Sequence, residues 1–289
     1  MSRRLPTAAM ATSTSTAGGE ALPAHRRATA SREVNAVFAI AWREVLRAFK
    51  SPLSIAFTVI FPIIFIGILG GSIAQNLSGA LPYAYLPFML IGMIANSMYQ
   101  GTISGVTNLV EERENDFTAE LFVAPISRYA VLLGKLIGSG TAALVSLVGI
   151  IAMVFIMQIP MDLGDLLRVI ALSPVLALAG GALGVFLIGI TQDPRTVAIA
   201  VPLLIFPQTF LSGALIPVAD SSGLLGILAR IIPMTYSIDL ARNIFYWGKP
   251  EYDAAVLFPW TLDLAVTVGF FLFFTIVGTF LFVRSDRNR

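Results

Sequence analysis

The side chains best suited to chemistry in this 289-residue chain are concentrated in one short run. Six of the ten residues from Glu111 to Glu120 are charged: Glu111, Glu112, Arg113, Glu114, Asp116 and Glu120. The 60 residues before them, Ser51–Val110, carry no charge. Carboxylates and a guanidinium at this density could transfer protons, hold a cation, or make charge-assisted hydrogen bonds to another protein. The rest of the chain narrows that choice. There is no Cys, which removes thiolate nucleophiles, disulfides and thiolate metal sites. The single histidine, His25, lies in a polar N-terminal stretch, so no zinc or haem site built on imidazole is expected. No HExxH, GxSxG or paired-carboxylate motif falls in the apolar segments. GxxxxGK[ST] is also absent, and Leu132–Leu136 (LLGKL) does not supply it. Docking against a partner is the chemistry left for the charged run.

Local pattern gives that run a shape. The spacing predicts a helix from Glu111 to Phe122, stopped by Pro125. Phe117 and Leu121, at i and i+4, share an apolar edge, while Glu112, Asp116 and Glu120 form an acidic one. Residues 111–135 hold five acids against three bases, an unusual balance for a loop between membrane spans on the basic side.

Composition supplies the surroundings. The chain is 56% hydrophobic and 12% charged, with mean hydropathy +0.82. Soluble domains are about 25% charged, so the excess apolar surface is expected to face lipid. The net charge of +2, without a basic stripe, gives no support to nucleic-acid binding. Apolar runs of membrane length predict six transmembrane helices, at about 53–75, 84–110, 130–158, 168–191, 196–217 and 258–283. Fifteen Lys and Arg then fall on the side of both termini and four on the other, which predicts cytoplasmic termini.

Residues 1–30, rich in Ala, Ser, Thr, Gly and Arg, have no apolar core and read as a disordered cytoplasmic tail. Residues 31–50 read as an amphipathic interfacial helix. Val34, Val37, Phe38, Ala41, Val45 and Phe49 recur at helical spacing, with Arg43, Arg47 and Lys50 on another side, suited to the inner headgroup layer. The fold expected for 51–287 is therefore an all-α polytopic membrane domain. Within it, Asn96, Gln100, Ser104 and Thr107 make a polar stripe on the second span, and Gln208 follows Pro202 and Pro207 in the fifth. Polar groups in hydrocarbon are costly, so these either join helices or line a wet path. Between the fifth and sixth spans, "SGLLGILARIIP" is apolar but too short to cross and predicts a re-entrant or outer-leaflet helix; "TYSIDLARNIFYW" predicts a second short helix. Trp247, Tyr252 and Trp260 mark the outer headgroup belt.

The charged run, "EERENDFTAELFVAPISRYAVLLGK", resembles the signature of type-2 ABC transporter permeases, E-R-E-x-G-T-x-E-x-L-x-x-x-P-[IL]-[SR]. Glu112, Arg113, Glu114, Glu120, Leu121, Pro125, Ile126, Ser127, Gly134 and Lys135 match it, while Asp116-Phe117 replaces the usual Gly-Thr. A second resemblance lies at 210–243, where Ser212, Gly213, Pro217, Pro233, Thr235, Tyr236, Asp239 and Arg242 match S-G-x-x-x-P, P-x-T-Y and D-x-x-R. The likeness covers roughly 33–287, and the daunorubicin-resistance and nodulation-factor export permeases are the branches it most resembles.

The resemblance implies a passive transmembrane subunit, paired with a second permease copy (a homodimer favoured) and two soluble ATPase subunits that bind ATP and Mg. It makes Glu111–Leu121 with Pro125 the coupling helix seated on the ATPase, 31–50 the elbow helix, and Ser212 to Arg242 an outer gate. It implies export of amphipathic or hydrophobic compounds such as drugs, antibiotics or lipids, across a bacterial inner membrane. Alternatives are a polysaccharide or glycolipid exporter, or a stand-alone secondary transporter or channel. The near absence of ionisable groups at the midplane argues against the last pair.

Overall fold

The structure, a computed structural model, describes residues 22–50, 60, 63–76, 79, 81–114, 126–159, 161–218 and 221–287. The described residues contain helices and turns and no strand. Helix α1 spans Leu22–Lys50. A π-helical stretch, Phe65–Gly70, leads into α2, Gly71–Asn76. Then come α3 (Tyr85–Glu114), α4 (Arg128–Ala143), α5 (Val145–Ile156), α6 (Leu163–Ile190) and α7 (Pro194–Leu211). Two short helices, α8 (Gly223–Ile231) and α9 (Pro233–Tyr246), precede the single turn α10 (Tyr252–Ala255) and the long α11 (Trp260–Arg287).

The helix starts follow from their caps. Ser127 accepts a hydrogen bond from Ala130 N, Asp162 from Asp165 N and Asp193 from Thr196 N, which occupies backbone donors that the helix leaves open. Pro194 follows Asp193 at the first helical position, where a missing N–H costs nothing. The fifth predicted span ends at Leu211, short of 217, because Gly213 takes φ +82° and turns the chain; Pro217 lies beyond the helix. Helix α1 begins at Leu22, so residues 22–30 of the expected tail are helical.

Helix α6 is the centre of the bundle, packed along α3 on one side and α11 on the other. Small residues permit this. A Cβ on Gly180 would stand 2.1 Å from Tyr99 O in α3, and one on Gly189 would stand 2.5 Å from Gly278 O in α11. Without a hydrophobic drive between lipid-bathed helices, such close backbone contact is what dispersion has to work with. Helix α9 closes the core from the end of the bundle, with Ile238 and Phe245 packed among Met89, Leu90, Ile94, Met98 and Leu176.

Four helical stretches of the described residues are long and apolar enough to cross a membrane: Arg128–Ile156, Leu163–Ile190, Pro194–Leu211 and Tyr252–Ser285. The pair α8–α9 would add a fifth if taken as one span, but it bends by 82°. Such a bend fits either a broken span or a re-entrant pair. Helix α3 coincides with the predicted second span and is 30 residues long, yet its polar side chains keep it below the same hydropathy threshold. Of the predicted first span, only residue 60 and residues 63–75 lie among those described.

Candidate functional sites: an ionic junction, a polar patch and an outer anchor

Three polar groupings interrupt the apolar bundle. The first is at the end of α3. The helix runs without a break to Glu114, so Glu111–Glu114 continue α3 rather than opening a separate helix; residues 115–122 of the predicted helix lie outside the described residues. Glu111 is exposed and Glu112 is buried. The Glu112 carboxylate meets Arg43 Nη2 at 2.7 Å, Lys135 Nζ at 2.5 Å, and Arg47 Nη1. Lys135, fully buried in α4, also reaches Glu44 at 2.9 Å, and Arg43 meets Glu44 at 3.1 Å. Two carboxylates and three cations thus join α1, α3 and α4 at one point.

This placement corrects two expectations. Glu112 does not share a free acidic docking face, because its charge is spent inside the protein. Arg43 and Arg47 are turned onto Glu112, although Arg47, like Lys50, stays exposed. The open side of α1 also carries apolar groups, with Val34, Phe38, Trp42 and Phe49 all exposed. Periodicity could not tell which side of α1 the protein itself would cover. Close packing of α1 on α4 makes the junction possible: a Cβ on Gly138 would lie 2.7 Å from Ala41 Cα and Glu44 Cβ. Glu33 adds a further tie, accepting bonds from Ser127 N at 3.0 Å and Ser127 Oγ at 2.5 Å. Arg113 turns the other way, donating to Gln192 Oε1 at 3.3 Å and lying 4.4 Å above the Phe282 ring. Phe117, Glu120, Leu121 and Pro125 lie outside the described residues.

The second grouping is the predicted stripe, reduced to a patch. Gln100 Nε2 donates to Asn96 Oδ1 at 2.7 Å and to Thr209 Oγ1 at 3.0 Å, linking α3 to α7. Sequence reading missed Thr209, whose only signal was its place beside Gln208. Gln208 is buried, and its Oε1 has no hydrogen-bond partner among the described residues. Thr107 bonds back to Ile103 O at 2.9 Å within its own helix, while Ser104 is exposed. The stripe is therefore not one network. Around the patch, Ile199, Leu203, Phe206 and Phe210 of α7 are exposed and apolar.

The third grouping stands at the far end of the bundle. Asp239 and Arg242 share α9 but reach in different directions, and both are buried rather than on a surface helix. Arg242 Nη2 donates to Gly213 O at 2.5 Å, and its guanidinium lies 3.5 Å from the Phe88 ring centroid, so it ties the end of α7 to α3. Asp239 accepts from Leu257 N at 2.9 Å and Phe258 N at 2.8 Å, fixing the approach to α11. Asn243 adds bonds to Asp263 Oδ2 at 2.7 Å and Phe258 O at 3.0 Å, and accepts one from Tyr252. Tyr236 donates to Arg230 O at 2.6 Å across the α8–α9 bend and stacks on Phe258. Ser212 is buried, Gly213 supplies the turn and Pro233 opens α9. Asn243 and Asp263 were not among the predicted residues; they are recognisable only once α9 and α11 are known to touch.

A family model described as "ABC-2 type transporter" matches residues 35–246, which takes in all three groupings. The chain belongs to the ABC-2 type transporter family. It is accordingly the membrane permease subunit of an ABC transporter, a class of assembly in which an ABC ATPase is the permease's partner. Among its relatives, transport permease ycf38 of Cyanophora paradoxa is 24% identical over 269 residues, covering 87% of this chain and 89% of its own. Nodulation protein J of Rhizobium meliloti (strain 1021) is 25% identical over 216 residues, covering 73% and 79%. Nodulation protein J of Neorhizobium galegae is 25% identical over 238 residues, covering 80% and 88%.

Proposed function

We propose that this permease exports amphipathic or hydrophobic compounds, as a homodimer served by two copies of a separate ATPase chain that binds ATP and Mg. It sits in the inner, plasma membrane of a bacterial cell with both termini cytoplasmic. The observation that supports this substrate class is the Gln100–Asn96–Thr209 patch between α3 and α7, together with the exposed apolar side chains Ile199, Leu203, Phe206 and Phe210 along α7. Such a combination offers dispersion contacts to an apolar body and a few fixed hydrogen bonds to a polar head.

Energy enters at the stretch after Glu114. The ATPase seats against it, with Glu111, Glu114 and Glu120 supplying the charge that steers docking. Glu112 has a different part: it binds the end of α3 to α1 and α4, so a displacement of the docked segment moves three helices together. The anchor at Asp239 and Arg242 keeps the outer ends of α3, α7 and α11 in register while the inner ends move, and the bent α8–α9 pair gates the exit. The chain supplies no chemistry of its own, in keeping with relatives named as transport permeases.

The test is reconstitution of the permease with its ATPase in proteoliposomes, scored for ATP-dependent accumulation across a panel of amphipathic compounds. Glu111→Arg with Glu120→Arg should weaken co-purification of the ATPase while the permease alone keeps its melting temperature. Transport that continues without any ATPase would refute the energy source, and uptake limited to polysaccharides would refute the substrate class.

A further inference from the structure

Helices α4 and α11 both lean on α6, yet they scarcely touch each other. The space between them is a groove of about 410 Å³, open on one side. Tyr129, Leu133 and Leu136 of α4 form one wall, Ile276, Thr279 and Phe280 of α11 the other, and Val185 of α6 the floor. The walls are apolar, and Leu133, Ile276 and Phe280 are exposed in the folded chain. One lining group is out of keeping. The Thr275 hydroxyl is shielded from the surroundings and has no hydrogen-bond partner among the described residues.

The ends of the groove are not alike. Helix α4 begins at Arg128, beside Tyr129, and α11 carries Arg284 one turn beyond Phe280. Ile276, Phe280 and Arg284 fall at i, i+4 and i+8, so the exposed arginine continues the apolar wall. In the orientation proposed above, on which this inference rests, both helix ends are cytoplasmic. The groove then lies in the inner leaflet, with its basic rim at headgroup depth.

We propose that this groove is a binding site for an anionic phospholipid, distinct from the polar patch on α3 and α7. One acyl chain lies between α4 and α11 on the Val185 floor. The phosphate sits at the rim beside Arg284, and the ester region lies toward Tyr129 at the start of α4. The selectivity is electrostatic: a headgroup with a net negative charge is drawn to a juxtamembrane arginine, and a zwitterionic one, whose ammonium offsets its phosphate, is drawn less. The lipid would wedge α4, which carries Lys135 of the ionic junction, at a fixed distance from α11.

The test is native mass spectrometry of the full-length permease, purified in detergent and incubated with phosphatidylglycerol and phosphatidylcholine of identical chains. The expected result is retention of phosphatidylglycerol about fivefold over phosphatidylcholine, the worth of one basic side chain near an anionic lipid. Thr279→Trp, which fills the groove, should lower both adducts. Arg284→Gln, an exposed change with little effect on folding, should abolish the preference and leave the phosphatidylcholine adduct. An unchanged lipid ratio in Arg284→Gln overturns the proposal, as do undiminished adducts in a folded Thr279→Trp. Disulfide cross-linking of Leu133→Cys between two copies would also overturn it, since a second permease would then occupy the groove. The measurement does not depend on sidedness, so a wrong orientation shows separately, by cysteine labelling.

Discussion

Glu112 carries the largest energetic consequence of any single side chain outside the core. A buried ion pair gains little over an apolar replacement, but removing one partner strands the others, at about 3–5 kcal/mol. Glu112→Leu leaves Arg43, Arg47 and Lys135 facing Glu44 alone. Lys135→Met leaves two carboxylates with two arginines, a balanced set. We expect the first to lower the melting temperature in detergent well beyond the second, and the double variant to regain part of the loss. Equal effects from the two singles, adding in the double, would mean that the groups do not act as a unit. Asp193 gives a residue-scale prediction of another kind. The hydrogen bonds from Thr196 Oγ1 and N hold its carboxyl below the ordinary aspartate value, with lesser help from Arg195. Its depressed pKa means that the cap's stabilisation is complete above the unfolded value, about 3.9, and fades as pH falls through the folded one. Asp193→Asn keeps the cap geometry but cannot titrate, so the melting profile below about pH 4 should flatten. A profile identical to that of the parent chain would show that other carboxylates govern acid unfolding.

At the scale of elements, periodicity placed the helices well where it had length to work with. Expected spans three, four and six correspond to Arg128–Ile156, Leu163–Ile190 and Trp260–Arg287. It failed where tertiary contact decides. Glu111–Glu114 read as the start of a new charged helix because Val110 ends a charge-free run; in the structure they continue α3, where Glu112 meets Lys135 and Arg43. Likewise Asp239 and Arg242 stand out in the sequence only as matches to a motif on a predicted short helix. Their actual partners, Leu257, Phe258, Gly213 and Phe88, are distant in sequence and could not be found from spacing. The polar stripe shows the same limit, since Thr209 is 109 residues from Gln100. That contact sharpens its test. Gln100→Leu removes both hydrogen bonds and leaves Thr209 Oγ1 to Asn96 Oδ1 at 3.3 Å and to Ile205 O at 3.1 Å. Intramembrane hydrogen bonds average about 0.6 kcal/mol, so the bundle should stay assembled. The ranking of exported compounds and their stimulation of ATP hydrolysis should change. An unaltered ranking with intact oligomers returns the patch to a packing role between α3 and α7.

At the scale of the whole molecule, the orientation rests on the asymmetry of 15 against four basic residues. The fold gathers several of them at the two ends of the bundle. Arg43, Arg47, Arg113 and Lys135 gather at one end of the bundle with Arg195 and Arg284, while Arg230, Arg242 and Lys249 lie with α8, α9 and the turn that follows. Lys249 is drawn to Asp165 at 2.6 Å and to the Phe245 ring at 3.7 Å, which pins that turn to the first turn of α6. The chain contains no cysteine, which permits a direct measurement without background. Ser222 is exposed before α8 and Arg195 is exposed in the first turn of α7. Ser222→Cys should react with an impermeant maleimide added to intact cells, and Arg195→Cys only after permeabilisation. The reverse pattern would invert the whole assembly. The ionic junction would then face outward, away from any cytoplasmic ATPase, and Glu112 could not transmit its stroke.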